Sequence, residues 1–246
     1  MKFIRIMTNS WNDIRIVRNF FTSFTFSKLT PNKGSNDWLT RQLNDVYVRK
    51  SRYDRYRCRS AYKLLEIDEK YNILKPGHSV VDCGAAPGSW TQVAVKKLKL
   101  DKDLEEEEKQ GIVISVDLQH IMPIKGAIII SESNFTEPSV QQKISELLPG
   151  GKADVILSDM APKASGMSHI DSVEILKLVY SALSFAVLTL KKRGVFLCKV
   201  WDSNEVETLY SNLQNLFTTV KRIKPKASRS DSSELFILAK GFKGIK

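Results

Sequence analysis

Val80-Val81-Asp82-Cys83-Gly84-Ala85-Ala86-Pro87-Gly88-Ser89-Trp90-Thr91-Gln92 decides how this chain is read. An apolar run ends in an acid, a glycine turn follows, and the next residues open a helix. Such a turn brings backbone N–H groups up to a ligand, and glycines at 84 and 88 keep Cβ atoms out of its way. Asp82, at the strand end, either orients the loop or fixes a cationic ligand group. A dinucleotide site is the first alternative, but that motif needs G-x-G-x-x-G and an acid about 20 residues further on. Here the middle glycine is missing, Pro87 occupies the loop, and the next acid that ends a strand is Asp117.

Outward from this loop, short apolar strands alternate with helical patterns. Ser60 reads as the N-cap of a helix over Ala61–Tyr71 with Ala61, Leu64, Leu65 and Ile67 on one face. Gly111–Asp117, Ile124–Ser131, Ala153–Asp159 and Gly194–Trp201 read as further strands, and Thr218–Lys224 and Glu234–Lys240 as the last two. Helices are expected over Thr91–Leu98, Pro138–Leu148, Ile170–Leu190 and Asn204–Phe217. This pattern predicts an α/β domain with a sheet covered on both faces. Ligands of such sheets sit at the carboxyl ends of strands, where Asp82, Asp117 and Asp159 all fall. Lys199 is conspicuous in the apolar strand Val195-Phe196-Leu197-Cys198-Lys199-Val200-Trp201. A buried ammonium needs a partner, unless it snorkels to water from the strand end.

The chain of 246 residues carries Lys+Arg 38 against Asp+Glu 27, a net charge of +11. That excess favours a polyanionic partner, most simply nucleic acid. Residues 1–35 are basic, poor in acids and rich in Ser, Thr and Phe, the composition of a mitochondrial presequence rather than a secretory signal. Residues 36–59 form a basic arm with Arg41, Arg49, Lys50, Arg52, Arg55, Arg57 and Arg59. Tyr47, Tyr53 and Tyr56 are interleaved, suiting phosphates and unpaired bases. The domain proper is expected over 60–246. Glu105–Glu108 belong to a solvated charge run. No apolar run reaches the ~18 residues of a membrane span. Cys58, Cys83 and Cys198 make no C-x-x-C pair, which argues against a zinc site or a disulfide framework.

D-x-G-x-x-P-G resembles the S-adenosylmethionine (SAM) loop of Rossmann-like methyltransferases. Gly-Ala-Ala-Pro-Gly-Ser-Trp is similar to that of the FtsJ family of RNA 2'-O-ribose methyltransferases. The resemblance covers about residues 40–241 and implies a mostly parallel, seven-stranded Rossmann-like sheet with helices on both faces. It also implies a Lys-Asp-Lys-Glu tetrad. The first lysine, in R-S-A-Y-K-L, is Lys63; the aspartate, in S-D-M-A-P, is Asp159. The second lysine, in F-L-C-K, is Lys199; the glutamate, in S-R-x-x-S-S-E, is Glu234.

By the same resemblance the cofactor is SAM. Asp82, Gly84, Pro87, Gly88, Ser89 and Trp90 would surround its methionine part, Asp117 its ribose, and Ser133 and Asn134 its adenine end, with Asp159 touching both cofactor and reaction centre. The family often has aspartate where Asn134 stands; an amide oxygen accepts the same hydrogen bond without charge. The implied reaction is in-line attack of a ribose 2'-oxygen on a methyl group. A neutral Lys199 amine would take the proton, Asp159 and Glu234 would orient, and Lys63 would stabilise charge or place the nucleotide. Two carboxylates hold a proton on such an amine, whereas burial and Lys63 push it off. No metal is needed, and His78, His120 and His169 lack ligand spacing. The expected substrate is a uridine of mitochondrial large-subunit ribosomal RNA, free or in a large-subunit precursor in the matrix. Transfer RNA or an mRNA cap, or an rRNA-binding assembly role with dispensable catalysis, are the alternatives.

Overall fold

The structure, a computed structural model, describes residues 43–101, 111–163 and 165–244. The leader, the start of the basic arm and most of the acidic run before Gly111 lie outside the described residues. The chain divides into residues 1–44, of which only the helical Leu43 and Asn44 are described, and residues 45–246. Everything below concerns the second unit.

That unit opens with α1 (Val46–Tyr53) and α2 (Ala61–Tyr71), followed by β1 (Ser79–Cys83) and α3 (Ser89–Leu98). β2 (Ile112–Val116) and β3 (Ile128–Ile130) precede α4 (Pro138–Leu147), and a 3₁₀ turn over Pro149–Gly151 leads into β4 (Ala153–Ser158). Then come α5 (Ser168–Thr189), β5 (Leu190–Trp201), α6 (Val206–Leu216), β6 (Phe217–Ile223) and β7 (Glu234–Phe242). The seven strands form one sheet in the order β3-β2-β1-β4-β5-β7-β6. β1 to β5 are mutually parallel, while β7 runs antiparallel between β5 and β6. The expected seven-stranded, mostly parallel architecture is therefore present.

Every residue of β1 is buried, as a central strand covered on both faces requires. Alternation sorts the side chains into two cores. Val80, Val113, Val155, Leu157, Leu197, Phe236 and Leu238 meet α2 and α3 through Leu64, Ile67, Trp90 and Val93. Val81, Ile114, Ile156, Phe196 and Cys198 meet the helices opposite through Ile144, Val179, Phe185, Leu209 and Leu213. The segment Ile170–Thr189 is long and apolar enough to cross a membrane by length and composition. Ile175, Val179, Ala182, Phe185 and Ala186 are nevertheless buried, so α5 serves as a core helix of the sheet.

Three local readings change. The third strand is only Ile128–Ile130, because Ala127 N donates to Ile124 O at 3.1 Å and Gly126 turns with φ +86. β5 begins at Leu190 rather than Gly194, and its pairing with β4 is irregular between Ala153 and Val155. Ser60 does not cap α2: its backbone is helical and its hydroxyl makes no capping bond.

Candidate active site

β1 pairs with β2 on one side and β4 on the other, so the strand order reverses at β1. A crevice opens at such a switch point, and the loops after β1 and β4 line it. They touch. Asp159 N donates to Cys83 O at 3.0 Å. A Cβ on Gly84, whose φ is +77, would lie 2.7 Å from Met160 N and 2.8 Å from Met160 Cα. Gly88 has φ +110, and its Cβ would come within 2.7 Å of Arg57 Nη1 and Ile124 Cδ1, two side-chain ends that can move aside. Backbone angle therefore demands glycine at both positions, and space demands it at Gly84.

Arg57 holds the far side of this loop. Its guanidinium donates to Pro87 O and Met122 O, each at 2.8 Å, and to Pro123 O at 2.9 Å. Arg59 is also an internal strut, bonded to Asp45 and to Ala227 O. These two members of the basic arm thus brace the domain. Arg49, Lys50, Arg52 and Arg55 are exposed, and Tyr53 is 88% exposed.

Asp117, just past β2, accepts from Ala86 N at 2.9 Å through one oxygen and from Gln119 N at 2.7 Å through the other. A carboxylate has about four acceptor directions, so two remain for ligand hydroxyls. Ser133 N donates to Asp117 O at 2.9 Å, which sets Ser133 and Asn134 on the same rim. The Asn134 amide oxygen already accepts from Thr136 N at 3.0 Å and Thr136 Oγ1 at 2.8 Å. An adenine amino group would have to compete for it.

Three residues read as cofactor contacts turn inward instead. Asp82 is fully buried; its Oδ2 accepts from Thr91 Oγ1 at 2.7 Å, and its Oδ1 has no hydrogen-bond partner among the described residues. It orients the loop from beneath rather than facing a cationic ligand group. The Ser89 hydroxyl is buried and accepts from the Cys58 thiol at 3.0 Å. Trp90 is buried, its ring centroid 5.6 Å from that of Phe236, and its indole donates to Ser60 O at 2.9 Å. Ser89 and Trp90 face the crevice only through their backbone, at the positive end of α3.

Burial, partly offset by the Thr91 hydrogen bond, pushes the Asp82 carboxyl up to about 7, with Asp159 and Asp117 adding to the rise. The native state then holds a proton that the unfolded chain has lost above about pH 4. Stability attributable to this group falls as pH rises from about 4 to 7, by up to about 1.4 kcal/mol per unit, and levels off above. Asp82→Asn should flatten this slope. Thermal melts between pH 5 and 8 would show wild type losing more stability than the variant.

The tetrad residues converge because of how the strands run. Alternation places Val195, Leu197 and Lys199 of β5 on the face that α2 covers. Lys199 pairs with Phe236 and Trp201 with Glu234 across the antiparallel β5–β7 ladder. The reversed direction of β7 thus puts its first residue, Glu234, at the carboxyl end of β5. Lys199 Nζ donates to Asp159 O at 2.6 Å and lies 2.9 Å from Asp159 Oδ1, close enough for an ion pair but without a hydrogen bond's alignment. Lys63 Nζ lies 2.7 Å from Glu234 Oε2 and 2.6 Å from Oε1, with its amine 5.7 Å from the Phe236 ring centroid. Ser228 Oγ donates to Glu234 Oε1 at 2.9 Å. Ser60 Oγ donates to Asp159 Oδ2 at 2.9 Å.

Two amine–carboxylate pairs therefore stand at the rim where the glycine loop opens. A cleft of about 310 Å³ reaches Glu234 and is lined by Asp202, Arg222 and Lys224. Ser60 is the site residue that motif reading missed; its place beside Lys63 at the start of α2 was the available signal.

Known proteins resemble this chain over most of its length. The sequence is 47% identical over 212 residues to rRNA methyltransferase 2, mitochondrial, of Drosophila melanogaster, covering 86% of this chain and 84% of that one. It is 44% identical over 207 residues to the Ribosomal RNA large subunit methyltransferase E of Rhodopseudomonas palustris (strain BisA53), covering 84% and 85%. A crystal structure from Plasmodium falciparum, described as a ribosomal RNA methyltransferase, superimposes with a TM-score of 0.66 at 28% identity, over 77% of this chain and 100% of that one. The FtsJ-like methyltransferase profile matches residues 56–242, a span that holds the glycine loop and all four rim residues, and the chain belongs to that family.

Proposed function

We propose that this protein transfers the methyl group of SAM to a ribose 2'-hydroxyl, that of a uridine in mitochondrial large-subunit ribosomal RNA, in the mitochondrial matrix. The observation that carries the reading is the meeting of Lys199–Asp159 and Lys63–Glu234 beside the Gly84–Gly88 loop. The names of the fly and bacterial relatives support rRNA as the substrate, and the fly name together with the leader supports the compartment.

The chain's groups fit the cofactor. Gly84 lets the β1 and β4 loops close on one another at the crevice, the first turn of α3 offers backbone donors, and Asp117 keeps two acceptor directions. Bound there, SAM supplies an electrophilic methyl on a cationic sulfur. Asp159 ties the cofactor loop to the reaction centre through its bond to Cys83 O. Lys199, in its neutral form, accepts the hydroxyl proton at Nζ as the ribose oxygen attacks. Asp159 fixes that amine from two sides. Lys63 and Glu234 form the opposite wall, where the ammonium stabilises charge on the oxygen and the carboxylate orients the nucleotide.

The exposed part of the arm fits an RNA partner. Its two described acids turn inward: Asp45 caps α1 and pairs with Arg59, and Asp54 accepts from Tyr62 Oη at 2.6 Å. The surface cations are left unopposed by them, with Tyr53 available to stack on a base. Replacing Arg49, Arg52 and Arg55 with glutamine should weaken RNA binding while sparing SAM binding. The slope of log affinity against log salt should shrink by about 0.7 per lost phosphate contact on single-stranded RNA. Filter binding across salt concentrations reads this directly.

Labelled SAM offered with unmodified large-subunit rRNA, transfer RNA or capped mRNA tests the substrate assignment. Label in rRNA alone is expected; preferential labelling of either other RNA would replace it.

A further inference from the structure

We propose that Ser60 is a positioning residue for the Asp159–Lys199 pair and couples the cofactor loop to it. The inference rests on the reading of that pair as catalytic.

Asp159 has two carboxylate oxygens with distinct neighbours. Oδ1 lies 2.9 Å from the Lys199 amine. Oδ2 accepts the Ser60 hydroxyl at 2.9 Å. Among the hydrogen bonds of the described residues, that hydroxyl supplies the one that fixes the rotation of the carboxylate plane. Without it, the carboxylate can turn about its last torsion, which is broad for this side chain. Oδ1 then leaves the amine, and the amine keeps only the Asp159 carbonyl at 2.6 Å.

Ser60 is itself held from the loop side. Its carbonyl accepts the Trp90 indole N–H at 2.9 Å, and Trp90 is the second residue of α3. The preceding residue, Ser89, accepts the Cys58 thiol at 3.0 Å, so the chain entering α2 is stitched to the loop twice. One residue thus takes its position from the cofactor loop through its backbone and passes it to Asp159 through its side chain. Lys63 follows three residues later, in the first turn of α2. The two bonds are separable, because alanine keeps the carbonyl and loses only the hydroxyl.

Hydrogen bonds to charged groups are the stronger kind, and loss of one corresponds to roughly a ten- to hundredfold change in rate. Ser60→Ala, Ser60→Thr and Lys199→Ala are assayed side by side with SAM and unmodified rRNA. Ser60→Ala should lower kcat about ten- to a hundredfold, with the KM for SAM and the melting temperature close to wild type. Ser60→Thr, which keeps the hydroxyl, should return most of the rate. Full turnover by Ser60→Ala beside an inactive Lys199→Ala overturns the Ser60 role alone. Equal loss in the alanine and threonine variants, together with weakened SAM binding, also overturns it, in favour of simple packing. Full turnover by Lys199→Ala overturns the reading of the pair and the inference with it.

Discussion

Lys199→Ala should abolish measurable methyl transfer, lowering kcat by about 10²–10⁴-fold, the span that a positioned general base contributes. SAM affinity should stay within a few-fold of wild type, since the amine bonds to Asp159 and to no residue of the glycine loop. Two explanations of such a loss compete. Lysine can act by taking a proton, or merely by neutralising Asp159 in a site where Lys199 is buried. Lys199→Arg separates them. Arginine keeps the positive charge and can pair with a carboxylate, but it does not give up its proton in a protein. A base requirement predicts that the arginine variant is also inactive while melting near wild type. Recovery of substantial turnover by arginine would reduce Lys199 to an electrostatic partner. Steady-state kinetics with calorimetric SAM titrations on both variants decide this.

Gly84→Ala is the second large effect. The residue sits at φ +77, a region that costs an L-residue about 1–2 kcal/mol. Its Cβ would also lie 2.7 Å from Met160 N and Cγ and 2.8 Å from Met160 Cα. Two of those three nearest atoms belong to the backbone, so no side-chain rotation relieves the clash. Overpacking of this kind costs typically 1–3 kcal/mol, giving about 2–5 kcal/mol in all. That is a large share of the stability of an ordinary domain. Relief would come from separating the β1 and β4 loops, which moves Asp159 away from the cofactor crevice. A fall in denaturation midpoint and a SAM affinity reduced at least about tenfold are expected. An unchanged midpoint with unchanged affinity would mean that the two loops need not touch.

Much of this was legible in the residues. Unbroken apolar runs such as Ala153–Ser158 announce central parallel strands, and the loop between Gly84 and Gly88 announces a ligand turn. The motif matches chose four polar residues that the fold then gathered. The direction of β7 was not legible, because an apolar strand reads the same whichever way it runs. Its reversal is what carries Glu234 to the rim. Side-chain facing at the start of α3 was equally hidden. Ser89 and Trp90 stand in the loop motif, yet Cys58, Ser60 and Phe236 draw them inward. Arg57 and Arg59 look like their basic neighbours in sequence, and only the carbonyls and the acid around them make them struts. Composition reports charge but not orientation, so the inward turn of Asp45 and Asp54 belongs to the fold.

The nature of the methylated atom tests the central claim most directly. Unmodified large-subunit rRNA treated with the enzyme and labelled SAM would be digested to nucleosides and resolved by mass spectrometry. The account predicts label in a single 2'-O-methyluridine, formed by wild type and absent with Lys199→Ala. Label on a base, or an equal yield from the variant, would contradict it.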